Sequence, residues 1–178
     1  SDEIEIVEEK RDLNNLKNII PNNLGIYDTL KLIEKELETE DKKFHISKFM
    51  KIVSGELDSW RKYKNFTVLI PVNAIIDFYL NLNFQDSNIY HLDPLNFYIN
   101  EGVEYDKKNL KNIISGINYN YDFVAGDIKY KRGIIHIVNF IFDKTKPYKK
   151  KDIFSQLESF STDSKDDNYI SKLYALSE

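Results

Sequence analysis

Residues 121–142 read YDFVAGDIKYKRGIIHIVNFIF, and this stretch decides the fold class. Tyr121–Tyr130 and Ile134–Phe142 are two runs rich in β-branched and aromatic residues, separated by Lys131-Arg132-Gly133. That spacing predicts an antiparallel hairpin with a three-residue loop, in which Gly133 supplies a positive φ at no steric cost. Along the second run Ile135, Ile137 and Ile141 fall on one face, and Ile134, Val138, Phe140 and Phe142 on the other. A strand apolar on both faces is a central one, covered on each side. Helices are the obvious cover.

Upstream of the hairpin, Phe66-Thr67-Val68-Leu69-Ile70 is short, β-branched and stopped by Pro71, so it predicts a strand. It contains the chain's N-x-T sequon, Asn65-Phe66-Thr67, which a buried strand would hide. A further strand is expected over Leu95–Ile99. Val72–Phe84 fits a helix giving way to an extended end. Asp106 can cap a helix from Lys107 to about Ile117 that turns Leu110, Ile113, Ile114 and Ile117 inward. Ser47 can cap another to about Tyr63, with Phe49, Met50, Val53, Leu57 and Trp60 on its inner face. Gly55 weakens that helix by roughly 1 kcal/mol relative to Ala. After Pro147, two helices are expected, around Ile153–Phe160 and Asn168–Leu176.

The N-terminal third carries two helical stripes. Ile6, Leu13, Leu16 and Ile20 lie on one, and Ile26, Leu30, Ile33 and Leu37 on the next, with Pro21-Asn22-Asn23 breaking the chain between them. Two such helices with a short polar link predict an αα-hairpin. The expected fold is therefore α+β. A helical hairpin arm over 1–42 would join an α+β domain over 43–178, the two forming one continuous domain if the arm packs down. The sheet would be mixed or antiparallel, built on the 121–142 hairpin and covered by helices.

Composition narrows the function classes. The chain has 178 residues, 42% hydrophobic and 13% aromatic, enough for a sizeable core in one domain. It has no cysteine, which removes disulfides, thiolate metal sites and thiol catalysis from its own residues. No apolar run reaches the roughly 18 residues of a membrane helix, so no membrane partner is expected. The acidic start Ser1-Asp2-Glu3 is unlike a signal peptide, and a start at Ser rather than Met fits a piece of a longer protein. The expected compartment is intracellular, cytoplasmic or nuclear.

Charge is segregated along the chain. Residues 1–50 hold 12 acids against 8 bases, a net of −4. Residues 101–151 hold 6 acids against 11 bases, a net of +5, and the remainder to the C-terminus 6 against 2, again −4. The basic middle gathers at Lys129, Lys131 and Arg132 on the hairpin tip and at Lys144, Lys146, Lys149, Lys150 and Lys151 beyond the second strand. Tyr130 and Tyr148 interleave with them, as aromatics do where bases stack. Such a strip suits a nucleic acid or an acidic protein. The overall charge of −4 is unlike a typical nucleic-acid domain. The basic helix from Lys107 followed by a basic hairpin resembles a winged helix in outline, although the hairpin's strands are apolar on both faces.

Marked chemistry is sparse. No G-x-x-x-x-G-K-[ST] or G-x-G-x-x-G element exists among six scattered glycines, so Ile137–Asp143 is a strand ending in Asp without a phosphate loop. His45, His91 and His136 have no metal-ligand spacing, and His136, inside the most apolar run, is expected as a hydrogen-bonded core residue. Asp127-Ile128-Lys129 resembles the D/E-x-K element of the PD-(D/E)xK nucleases, with Asp122 five residues earlier. The resemblance covers three residues, and the Pro-Asp of the family pattern is replaced by Asp93-Pro94. It implies Mg²⁺ held by Asp122 and Asp127, with Lys129 stabilising charge on the attacked phosphate.

Three functions follow from these residues. The first is a non-enzymatic protein-interaction domain or complex subunit, docking another protein or a second copy through Ile6, Leu13, Leu16, Ile26, Leu30, Ile33 and Leu37, with no cofactor or metal. The second is a nucleic-acid-binding protein using Lys129, Lys131, Arg132, Lys146, Lys149, Lys150 and Lys151. The third is the Mg²⁺-dependent nuclease.

Overall fold

A computed structural model describes residues 11–82, 92–115 and 122–142. Four strands form one mixed sheet: β1 (Phe66–Pro71), β2 (Tyr98–Ile99), β3 (Phe123–Tyr130) and β4 (Gly133–Val138), in the order β2-β1-β4-β3. β1 and β4 run parallel, with Phe66 opposite Gly133 and Leu69 opposite His136. The other two pairings are antiparallel. β4 is thus central, as its two apolar faces require, and the architecture is α+β.

Helices cover both faces. On one side lie α1 (Leu16–Ile19), α2 (Ile26–Glu36), α3 (Ser47–Val53), α4 (Leu57–Trp60) and α5 (Asn73–Leu82). Their side chains share one core with Phe66, Val68 and Ile70 of β1 and with Ile135, Ile137 and Ile141. On the other side α6 (Lys107–Ser115) packs Leu110 and Ile114 onto Leu69, Ile99, Phe123, Val138, Phe140 and Phe142. The alternation along β4 is the one its sequence predicts, since successive residues of a strand face opposite ways. Ile113, expected inward, is 40% exposed.

Several elements depart from their sequence expectation, each for a local reason. The first described residues form only a 3-10 turn (Leu13–Asn15) and the single turn of α1, capped by Asp12, whose carboxylate accepts the Asn14 N–H at 3.0 Å. The helix from Ser47 breaks after Val53 beside Gly55 and resumes at Leu57. Ser47 is its first residue, not its cap. Asn73 takes that role from 26 residues away, accepting the Lys48 N–H at 2.9 Å and donating to Ser47 Oγ and the Lys42 carbonyl, both at 2.9 Å. Pro94–Phe97 is a 3-10 turn capped by Asp93, leaving only two residues of β2 in the strand expected there.

The hairpin tip is tighter than expected. Tyr130 pairs with Gly133, so Lys131 and Arg132 alone make the connection. Gly133 has no positive φ. It is required for a different reason: a Cβ there would sit 2.1 Å from the Phe66 carbonyl oxygen. The parallel β1–β4 pair can close at its start only over a residue without a side chain.

No helix among the described residues is long and apolar enough to cross a membrane. The expected helices after Pro147, the extended end of Val72–Phe84 and the part of the first helix before Arg11 lie outside the described residues.

Candidate anion-binding cleft

The six described residues of the expected docking stripe lie in the core. Leu13, Leu16, Ile26, Leu30, Ile33 and Leu37 are each at most 1% exposed. All six belong to the core shared with β1 and β4. α1 lies against β3 and α2 against α4, and Arg11 pairs with the Glu36 carboxylate and donates to its carbonyl. An apolar stripe cannot distinguish a partner's surface from the protein's own sheet, and here the sheet has taken it. Ile6 lies outside the described residues.

The nuclease candidates hold structural positions. Asp127 sits in a β-bulge between the Ala125–Ile137 and Ile128–Ile135 pairs, at φ 59°. A bulged residue leaves the ladder, and both polar groups of Asp127 find other partners. Its Oδ1 accepts the Lys107 N–H at 2.8 Å, one of the donors left open at the start of α6. Asp106 Oδ1 accepts another, from Asn109, at 2.8 Å. The Asp127 N–H donates to His136 Nδ1 at 3.1 Å. Lys129 Nζ bonds Glu104 at 2.9 Å. Asp122 exchanges bonds with Asn139 through its own backbone. Among the described residues no three His, Cys, Asp or Glu side chains converge on a metal position.

His136 is a core residue with both ring nitrogens engaged. Nδ1 accepts from Asp127, so Nε2 carries the proton and donates to the Tyr105 carbonyl at 2.8 Å. The Tyr105 N–H in turn donates to Thr67 Oγ1 at 2.9 Å, and Thr67 is fully buried. This chain of bonds straps the segment before α6 across β1 and β4, and it buries the threonine of the sequon. Burial holds the His136 imidazole below its ordinary range, against the opposing pull of the Tyr105 carbonyl and of Asp127. His45 bonds the Glu40 carbonyl at 2.7 Å, and His91 lies outside the described residues.

The basic strip divides. Lys146, Lys149, Lys150 and Lys151, with Lys144 and Tyr148, lie outside the described residues. Lys129, Lys131 and Arg132 are exposed at the hairpin tip. Tyr130 is not a stacking platform, because only 4% of it is exposed and its hydroxyl is buried with no partner among the described residues. Burial, reinforced by the Glu104 charge and opposed by Arg132, pushes its phenol up. The winged-helix outline also dissolves. α6 packs on the sheet, and Lys107 and Lys111 lie over the Phe123 ring at 5.5 and 5.8 Å.

What the fold adds is a second basic turn beside the tip. Since β1 and β4 start together, the chain entering β1 meets the chain entering β4. Asn65, at φ 54°, makes the last bend before β1, a conformation that Asn tolerates better than most residues. Lys64, Asn65, Glu104, Lys131 and Arg132 consequently line one open cleft of about 320 Å³. Both turns are pinned by their backbones. The Lys131 N–H donates to the Leu24 carbonyl at 2.8 Å, and the Phe66 N–H to the Arg132 carbonyl at 3.2 Å. The Arg132 guanidinium reaches the Lys62 carbonyl at 3.4 Å.

The cleft's electrostatics are one-sided. Glu104 is paired with Lys129, while no carboxylate among the described residues comes within ion-pair distance of Lys64, Lys131 or Arg132. Three exposed cations and one carboxylate paired with Lys129 line the cleft, so its net charge is positive. Nothing local in the sequence ties Lys64, Asn65 and Glu104 to the tip, because they stand 67, 67 and 27 residues from Lys131, Arg132 and Lys131 respectively. The one local hint was Asn immediately before a β-branched run. No family model, curated protein or solved structure matches the chain.

Proposed function

We propose that the protein binds nucleic acid through its phosphate backbone, at the surface made by Lys64, Lys131 and Arg132. The observation that supports this is the convergence of two basic turns, distant in sequence, into one cleft whose cations have no carboxylate partner among the described residues. Cations left unpaired on fixed backbone bind an anion without first breaking an ion pair or ordering a loop. Arg adds a planar fork that matches phosphate oxygens in pairs. The binding is electrostatic and non-enzymatic. The protein-docking alternative has no comparable surface on its expected stripe, which is in the core.

The test is a fluorescence-anisotropy titration of labelled dT12 at 50 and 200 mM salt. Neutralising one to three phosphates of a single strand gives a slope between about −0.7 and −2 in log K against log salt, or roughly 3- to 20-fold weaker binding across that range. The double variant Lys131→Glu, Arg132→Glu should lose binding while keeping its circular dichroism. No binding at 50 mM salt, or polyglutamate binding as tightly as dT12, would sink the proposal.

A further inference from the structure

We infer that the cleft is an end site, taking a phosphomonoester dianion, the terminal phosphate of a strand or a free mononucleotide, in preference to an internal phosphodiester. This rests on the phosphate-binding function proposed above and specifies its ligand. The first ground is charge. A phosphomonoester carries about −1.5 to −2 at pH 7 and three acceptor oxygens, whereas a diester carries a single charge. Lys64, Lys131 and Arg132 together offer three charges without ion-pair partners among the described residues, which suits the dianion.

Shape supplies the second ground. A surface that follows a strand is an extended basic groove, and each further phosphate needs its own cation. Here the cations meet in one cleft of about 320 Å³. That is the small end of ligand-sized cavities, which run from roughly 300 to 1,000 Å³, and it suits one nucleotide rather than several.

The third ground is Glu104. Its carboxylate lines the same cleft and is held there by Lys129 at 2.9 Å. A carboxylate only accepts hydrogen bonds, so it can take a sugar hydroxyl or a base amine from a bound nucleotide. A strand continuing past it would meet a carboxylate already paired with Lys129 and, among the described residues lining the cleft, no further free cation for its next phosphate. Tyr130 is consistent with this geometry. Its buried hydroxyl lacks a partner among the described residues, and the charges that act on it are those of Glu104 and Arg132, two residues of the cleft wall.

The experiment compares labelled dT12 with a 5′-phosphate, a 3′-phosphate or hydroxyl ends at 150 mM salt, with dTMP, thymidine and inorganic phosphate as competitors. A terminal phosphate should tighten binding at least tenfold. Glu104→Gln should narrow that preference by strengthening the hydroxyl-ended strand, and Lys64→Ala should narrow it at least threefold by weakening the phosphorylated one. Competition by dTMP at the level of the phosphorylated strand would support the end site and identify the free nucleotide as its source. Equal affinity for phosphorylated and hydroxyl-ended dT12 would overturn the end site and leave backbone binding standing. Failure of every strand to bind at low salt would overturn both.

Discussion

Acidification from pH 7.5 to 5.5 should cost the protein stability through one residue, His136. In the folded state its Nδ1 must stay unprotonated to accept the Asp127 N–H, while Nε2 donates to the Tyr105 carbonyl. Burial and the neighbours that carry no negative charge favour a neutral histidine as the working form. The Phe123 ring stands edge-on to it at 5.2 Å, its β1 neighbour Leu69 is apolar, and Lys107 opposes a second positive charge. Asp127 and Asp106 pull the other way, but burial is the largest influence and holds the imidazole below its ordinary value of 6.5.

The sign follows from proton counting. Below about pH 6.5 the unfolded chain takes up a proton that the folded chain resists, so stability falls as pH falls. One such proton gives a slope of at most about 1.4 kcal/mol per pH unit, and at most about 1.4 kcal/mol in all between pH 7.5 and 5.5. In urea that is a midpoint shift of up to about 0.7 M for a slope near 2 kcal/mol/M. His136→Leu should remove this pH dependence and cost about 1–3 kcal/mol outright, because it leaves the part-buried Asp127 N–H and Tyr105 carbonyl without their partner. His45→Gln should keep the pH dependence. If the Leu variant fails to fold, the ring nitrogens of the wild type can be followed by NMR, where a single Nε2–H tautomer titrating below 6.5 is expected. A slope that survives in His136→Leu, or a ring already doubly protonated at pH 6.5, would refute the reasoning.

Three other outcomes are expected in denaturant titrations. Leu30→Ala should cost about 2–5 kcal/mol, as a buried leucine does, whereas a solvent-facing docking residue would leave stability unchanged. Gly133→Ala should cost about 1–3 kcal/mol or more, since the added Cβ meets a backbone carbonyl that cannot rotate away; a loss below 1 kcal/mol would contradict the close approach. Asn73→Ala should cost about 2–4 kcal/mol by uncapping α3 and freeing the Lys42 carbonyl, while Asn73→Asp should recover the cap but not the two donated bonds.

The parts of this fold that were legible are those written in local periodicity. The two faces of β4 could be read from Ile134–Phe142 because a strand has a period of two and both its faces are apolar. The cap of α6 could be read from Asp106 because capping is a three-residue event. What failed to show depended on contacts between distant residues. Ser47 looked like a cap, yet the acceptor came from Asn73 on another helix. Asp127-Ile128-Lys129 carried the right residue types for metal chemistry, but a bulge turned Asp127 towards the Lys107 amide. Gly133 was correctly marked as indispensable for a mistaken reason, because its neighbour across the sheet could not be known before β1 was paired with β4. The basic tip was legible; the cleft was not, since Lys64 and Glu104 reach it only through that pairing.

The start of the β1–β4 pair therefore serves two purposes, and this limits how the site can be dissected. Phe66 opposite Gly133 sets the register in which Phe66, Val68 and Ile70 meet Ile135 and Ile137 in the larger core. The same pairing places Asn65 and Lys64 beside Lys131 and Arg132. Any change that loosens Gly133 or Phe66 must damage the core and the cleft together, so loss of binding there says nothing about ligand contact. Changes at Lys64, Lys131 and Arg132 differ in kind. Their side chains are exposed, and the backbones of Lys131 and Arg132 are held by a bond to Leu24 and one from Phe66 that a side-chain substitution leaves in place. Exposed substitutions away from caps and cores usually shift stability by no more than about 0.5 kcal/mol. Only these tip residues can separate binding from folding, and a charge reversal at Lys131 and Arg132 that abolished binding at unchanged stability would locate the function in the cleft itself.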